Sequence, residues 1–215
     1  MNSRLARLLC SAALLALATV TLYAGGWSII SLNDFPEHAI AGKSVALTFS
    51  VRQHGNHLLS GLKPALRASM KGGVNVDAEA KPTGNVGEYT AMLRFPSPGE
   101  WTIGIDGGFN AEDKTRSYNA TTLPSLSVVR DASSPVPVFS ESERGGRLFV
   151  AKGCVGCHAS GTDNDVTQKK FAADYLEKFL ADPGIRKVDM PDLKLKKPEI
   201  SALIAFINKK SSRGY

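Results

Sequence analysis

The sequence predicts a two-domain chain, an N-terminal all-β sandwich followed by a C-terminal all-α unit. Three observations predict it. Across residues 25–130, apolar and polar residues alternate in short runs separated by turn residues. From residue 141 onward, apolar residues recur instead at three- and four-residue spacing. Between the two regimes, Asp131-Ala132-Ser133-Ser134-Pro135-Val136-Pro137 reads as a linker occupying 131–140.

The first segment, 1–24, has its own character. Arg4 and Arg7 precede an apolar run from Leu8 to Leu22, and the small residues Ala24, Gly25 and Gly26 follow. This is similar to a secretory signal peptide with cleavage after Ala24; retention as an N-terminal anchor is the alternative. The run is shorter than the ~20 residues of a usual membrane span, which favours cleavage. The expected location is therefore periplasmic or otherwise extracytoplasmic. Cys10 falls inside this segment, so the mature chain would keep only Cys154 and Cys157, and no structural disulfide is expected.

In the sandwich region, Val45, Leu47, Phe49 and Val51 fall on one face of a strand, and Tyr89, Ala91, Leu93 and Phe95 on one face of another. Trp101, Ile103 and Ile105 repeat the pattern after the turn Pro96-Ser97-Pro98-Gly99. Trp27–Leu32, Ala65–Met70, Val74–Ala80 and Ser125–Val129 complete seven short strands, the number of a small sandwich. This half also carries His38, His54, His57, Met70 and Met92. Histidine and methionine are copper ligands, so copper binding is a question for this domain; exposed loop polarity is the plainer reading of His54-Gly55-Asn56-His57.

The C-terminal region predicts three helices. Arg147 to Lys152 looks helical. Phe171, Tyr175, Leu176, Phe179 and Leu180 form a second stripe, ended by Asp182-Pro183-Gly184. Ile200, Leu203, Ile204 and Ile207 form a third, with Pro198 in its first turn and Glu199 at the positive end of its dipole.

Cys154-Val155-Gly156-Cys157-His158 carries the chemistry. Two thiols three positions apart, followed at once by an imidazole, read as a site for covalent attachment of one c-type haem, with His158 the proximal iron ligand. A zinc site would need two further soft ligands, and no Cys or His follows His158. A thioredoxin-like pair would open a helix after a buried strand, whereas a helix precedes this one. Met190, in Val188-Asp189-Met190-Pro191, is the methionine of this half and the expected sixth ligand, with Pro191 keeping its loop out of helix.

From about Ser140 the chain resembles a small class I cytochrome c domain. Gly145-Gly146-Arg147-Leu148-Phe149 is similar to the family's first helix, Cys154 to His158 to its haem motif, Met190-Pro191-Asp192-Leu193 to its ligand loop and Glu199 to Ile207 to its last helix. The resemblance implies an all-α cytochrome c fold of three helices around one haem. It also implies that the first and last helices cross where Gly145 admits Phe206. Its activity would be transfer of single electrons between redox proteins, with no bond chemistry of its own. The chain departs from the family in having no proline between His158 and Pro183, so a carbonyl within Thr162–Thr167 is expected to orient His158. The short interval from His158 to Met190 predicts an exposed haem edge and a positive but moderate potential. In the N-terminal half, Gly87-Glu88-Tyr89-Thr90-Ala91 and Pro96-Ser97-Pro98-Gly99-Glu100-Trp101-Thr102-Ile103 are similar to periplasmic immunoglobulin-like domains of the YtkA-like class. That resemblance implies fold more than activity.

Charge divides the chain in the same way. Residues 25–140 hold ten Lys/Arg against ten Asp/Glu, and residues 141–215 hold fourteen against ten. Lys194, Lys196, Lys197, Lys209 and Lys210 gather near the ligand loop and last helix, where they would steer an acidic redox partner. Export and the haem motif account for the basic residues without nucleic acid. No acid–base pair, nucleophile triad or phosphate loop points to an enzyme. Three other functions share these residues: the haem subunit of a periplasmic oxidoreductase, a sensor in which Met190 yields to a gas ligand, and a copper-handling protein.

Overall fold

The computed structural model describes residues 27–108, 120–186 and 189–211. The expectation for residues 1–24 lies outside them; among the described residues no helix is long and apolar enough to cross a membrane.

The N-terminal part is an immunoglobulin-like β-sandwich. One sheet runs β1 (Ser28–Leu32), β3 (Ser44–Gln53), β8 (Glu88–Arg94) and β7 (Lys81–Pro82), with β4 (His57–Leu58) also on β3. The other runs β2 (His38–Ile40), β11 (Leu126–Val129), β9 (Gly99–Asp106), β5 (Ala65–Met70) and β6 (Asn75–Glu79), with β10 (Ala120–Thr122) on β9. Pairing is antiparallel except between β2 and β11. The seven strands that alternation predicts are present. The four others are two or three residues long, too short to show a period. Leu47, Phe49, Tyr89, Leu93, Trp101, Ile103 and Ile105 all turn into the core between the sheets. Two polar tips there are satisfied: Trp101 Nε1 donates to the Ser97 carbonyl at 3.2 Å, and Tyr89 Oη donates to the Leu59 carbonyl at 2.9 Å.

The expectation of a C-terminal all-α cytochrome c fold is corrected. Among the described residues strand outweighs helix, and the C-terminal part holds three short helices: α1 (Glu141–Ala151), α2 (Ala173–Ala181) and α3 (Lys197–Ser211). The cause is local. The stretches between them are rich in Gly, Asp, Thr and Pro, which favour turns over helix. They form irregular chain and 3-10 turns at Cys154–Gly156, Val166–Gln168 and Pro183–Arg186. Helical periodicity holds from Tyr175 to Leu180 and from Ile200 to Ile207, while Phe171 precedes α2.

The helices form where the caps direct. Ser140 begins α1 with a reciprocal capping box to Glu143. At the start of α3, Glu199 accepts from the Lys196 backbone N–H at 2.8 Å. Helices α1 and α3 cross at Gly145, where a Cβ would fall 1.8 Å from the Ala202 carbonyl oxygen and 2.8 Å from Phe206 Cβ. Phe206 packs on Phe149 with ring centroids 5.3 Å apart.

This helical part lies against the sandwich. Arg144 pairs with Glu37 at 2.5 Å and Lys196 with Asp34 at 2.6 Å, both at exposed positions of small individual worth. Arg147 donates to the Ser125 carbonyl at 2.7 Å, its guanidinium 5.1 Å from the centre of the Phe35 ring. The buried contact is Lys152. Its ammonium sits 2.8 Å from the Glu199 carboxylate and donates to the Asn33 carbonyl at 2.6 Å, joining the end of α1, the start of α3 and the sandwich. Edge strand β1 is consequently buried on both faces: Ile30 and Leu32 enter the sandwich core, while Ile29 and Ser31 face the helical part.

Gly145→Ala places a methyl where a backbone carbonyl already stands, so the two helices must separate. It is expected to cost about 3 kcal/mol, the upper range for overpacking, measured by urea unfolding of the full chain.

Candidate functional site

The site begins where α1 stops. Lys152 is its C-cap and Gly153 follows with φ +78°, the left-handed residue that commonly ends a helix. The chain then turns tightly through Cys154–Gly156, and the N–H groups of Cys157 and His158 both donate to the Cys154 carbonyl, at 3.2 and 2.8 Å. This turn brings both sulfurs and the imidazole to the wall of one cavity of about 450 Å³, which Met190 also lines. All four residues singled out in the sequence (Cys154, Cys157, His158 and Met190) therefore meet at one place.

The cavity is strongly apolar. Phe149, Leu176, Leu180, Leu203 and Ile207 come from the helices. Tyr175 stacks between Phe171 and Phe179, with centroids 6.1 and 6.0 Å apart and planes 10° and 2° from parallel. Such a wall suits a flat aromatic ligand, and the volume falls in the ~300–1,000 Å³ range of small-molecule and cofactor sites. Both thiols are partly buried as residues. Desolvation pushes the Cys154 thiol up to about 12 and moves Cys157 in the same direction, aided by the neighbouring Asp189 charge.

His158 is held from behind. Its Nδ1 lies 2.8 Å from the Asn164 carbonyl, inside the Thr162–Thr167 stretch where the sequence calls for such a group. A carbonyl only accepts, so Nδ1 carries the proton and Nε2 keeps its lone pair for a metal. The loop offering this carbonyl is organised by the buried Asp165. Its carboxylate accepts from the Gly161 N–H at 3.0 Å, the Thr167 N–H at 2.9 Å and the Thr167 hydroxyl at 2.6 Å. These bonds, the Thr167 hydroxyl's first, draw its pKa down to about 2.

Met190 sits in an irregular segment shaped by both halves of the molecule. The Asn56 side-chain amide, in the turn between β3 and β4, donates to the Asp189 carboxylate. Asp192 accepts from the Lys194 N–H at 2.8 Å and pairs with its ammonium. Lys194 and Lys196 are thus paired with acids, and the side chain of Lys210 lies outside the described residues.

Three contributors escape the sequence reading: Ile29, Ser31 and Lys152, all lining the cavity. They come from strand or helix positions that a local pattern assigns to packing. His54 packs beside Trp27 at 6.0 Å, and His57 and Met92 are exposed. Among the described residues, no group of three or more His, Cys, Asp or Glu could hold a metal ion.

No family model matches this chain, and no curated protein matches it. Among solved structures it is similar to the Lin-41 filamin domain, at 17% identity and a TM-score of 0.35 over 48% of this chain and 93% of that one. It is also similar to the CARDB domain of the PF1109 protein from Pyrococcus furiosus, in complex with di-metal ions, at 16% identity and a TM-score of 0.29 over 48% and 89%. A superoxide reductase (neelaredoxin) from Ignicoccus hospitalis matches at 13% identity and a TM-score of 0.29 over 54% and 90%. Likenesses this distant say nothing of activity; the sandwich rests on its own two sheets.

Asp165 gives the site a pH signature. Its folded pKa lies below the unfolded one, so its stabilisation is fully present above pH ~4 and is lost as pH falls through about 2. Acid titration of the full chain followed by near-ultraviolet circular dichroism is expected to show this loss. Asp165→Asn should remove that component and lower the thermal midpoint at neutral pH.

Proposed function

We propose that this chain is an exported monohaem c-type electron carrier that exchanges single electrons with other redox proteins. One observation carries the reading: two cysteines, a histidine with its Nδ1 proton fixed by a carbonyl, and a methionine converge on one aromatic-lined cavity. The residues fit a covalently held haem. Cys154 and Cys157 would tether it, and His158 and Met190 would be its axial ligands. Haem supplies a reversible one-electron change at iron. The chain's own part is to fix the ligands and to exclude water. The Asn164 carbonyl holds the imidazole proton and keeps Nε2 available. Pro191 and the Asn56–Asp189 hydrogen bond restrain the methionine loop. The thioether, soft and neutral, favours the reduced state, as does the apolar wall.

The resemblance of the C-terminal motifs to class I cytochromes c agrees with this function, as motifs and not as an all-α fold. The signal-like segment 1–24 supports export, which covalent haem attachment requires. The net positive charge of residues 141–215, fourteen Lys/Arg against ten Asp/Glu, favours an acidic redox partner, whose electron-transfer rate would fall with ionic strength.

The deciding experiment is the absorption spectrum of the exported protein. The reading expects pigment that resists acidified solvent, a low-spin reduced spectrum and a sulfur–iron band when oxidised; a colourless protein overturns it. Met190→Ala is expected to abolish that band, to lower the midpoint by at least about 59 mV, a tenfold change in the one-electron equilibrium, and to let the reduced protein bind carbon monoxide. Carbon monoxide binding by the unmodified protein would favour the sensor instead.

A further inference from the structure

Strand β1 of the sandwich belongs to the cavity. Ile29 and Ser31 line it together with Cys154 and Cys157. The approach is close enough to dictate sequence on the other side. A Cβ at Gly153 would fall 2.5 Å from Ile29 Cγ2 and 2.6 Å from the Ile30 carbonyl oxygen. A Cβ at Gly156, inside the attachment motif, would fall 2.7 Å from Ile29 Cδ1. From the next hairpin, the Cβ position of Gly55 lies 3.5 Å from Cys157 Sγ and 3.4 Å from Ile29 Cδ1. Ile29 is thus wedged against Gly153 and Gly156, the residues just before Cys154 and Cys157, and Gly55 lies between it and the Cys157 sulfur. Ser31 adds an independent sign. It is 4% exposed and lines the cavity, and its Oγ has no hydrogen-bond partner among the described residues. A buried hydroxyl without a partner is costly unless the cavity's occupant provides one.

We propose that β1 is the redox-tuning wall of this site: Ile29 keeps water from the cysteine edge, and Ser31 presents a hydroxyl to the bound group. The inference rests on the haem reading above and extends it to a residue more than a hundred positions from the motif. The sandwich then sets the midpoint potential directly. Ile29 is a positioning residue. It acts by excluding water, and water near the ring stabilises the more highly charged oxidised iron, so opening the wall lowers the potential.

Two measurements on the full chain test this. In haem-free chain made without export, iodoacetamide labelling of Cys154 and Cys157 is read peptide by peptide. Labelling is expected to be slow in the parent and in Ile29→Val, and at least tenfold faster in Ile29→Ala and Gly156→Val. In the exported, pigmented chain, Ile29→Ala and Gly156→Val should shift the midpoint downward while the sulfur–iron band stays, with Ile29→Val close to the parent. Unchanged labelling and unchanged midpoint in both variants would overturn the wall. Should the parent prove colourless, the haem reading fails on that result alone, and the labelling still decides whether β1 covers the thiols.

Discussion

The structure depends on one contact, the outer face of β1 against Gly153 and Gly156, the glycines that precede the two cysteines. An edge strand of an antiparallel sheet ordinarily leaves one face and one row of backbone groups to water. Here Ile29 and Ser31 are covered by the turn that follows α1, and the strand is buried throughout. The turn can approach because Gly153 and Gly156 lack side chains. Larger residues would hold the helical part away, and with it the ends of α1 and α3 that Lys152 ties to the Asn33 carbonyl. The buried ammonium depends on the same closeness, since its charge is balanced by Glu199 and the sandwich backbone together.

This contact explains how so little helix supports a cavity of this size. Three short helices with a small apolar cluster would bury little surface alone. The sandwich supplies the missing side, and the loops do the rest by local hydrogen bonding. Asp165 closes the 161–167 turn on itself and thereby fixes the carbonyl that meets His158. Asn56 reaches from a sandwich hairpin to the residue before Met190. Both proposed axial ligands are thus positioned by groups behind them, one local and one from the other part of the chain.

Much of this was legible in the sequence, and the limits are physical. The strands with four or more alternating positions could be read, because a half-buried sheet imposes a period of two. Strand β10, three residues long, could not. Cys154, Cys157, His158 and Met190 could be named because their chemistry is rare and their spacing is tight. The Gly145–Phe206 approach was implied by the resemblance and is present as a helix crossing. The all-α fold was not, because family resemblance carried a whole architecture onto stretches whose Gly, Asp and Pro favour turns. Ile29 and Ser31 were invisible as site residues. In the sequence they are two positions of one more alternating strand, and only the docking of a distant turn gives their face a role. Lys152 is visible in the sequence only as the end of a helical stretch, and its burial depends on three segments meeting.

The most direct test of this account is whether the two parts of the chain unfold together. Urea unfolding of the full chain, in a Trp27→Phe background so that Trp101 alone reports on the sandwich, should be followed by fluorescence and by helical ellipticity in the same samples. Coincident transitions are expected, because β1 is common to both parts. Loss of the helical signal at a urea concentration where Trp101 fluorescence is still native would contradict it.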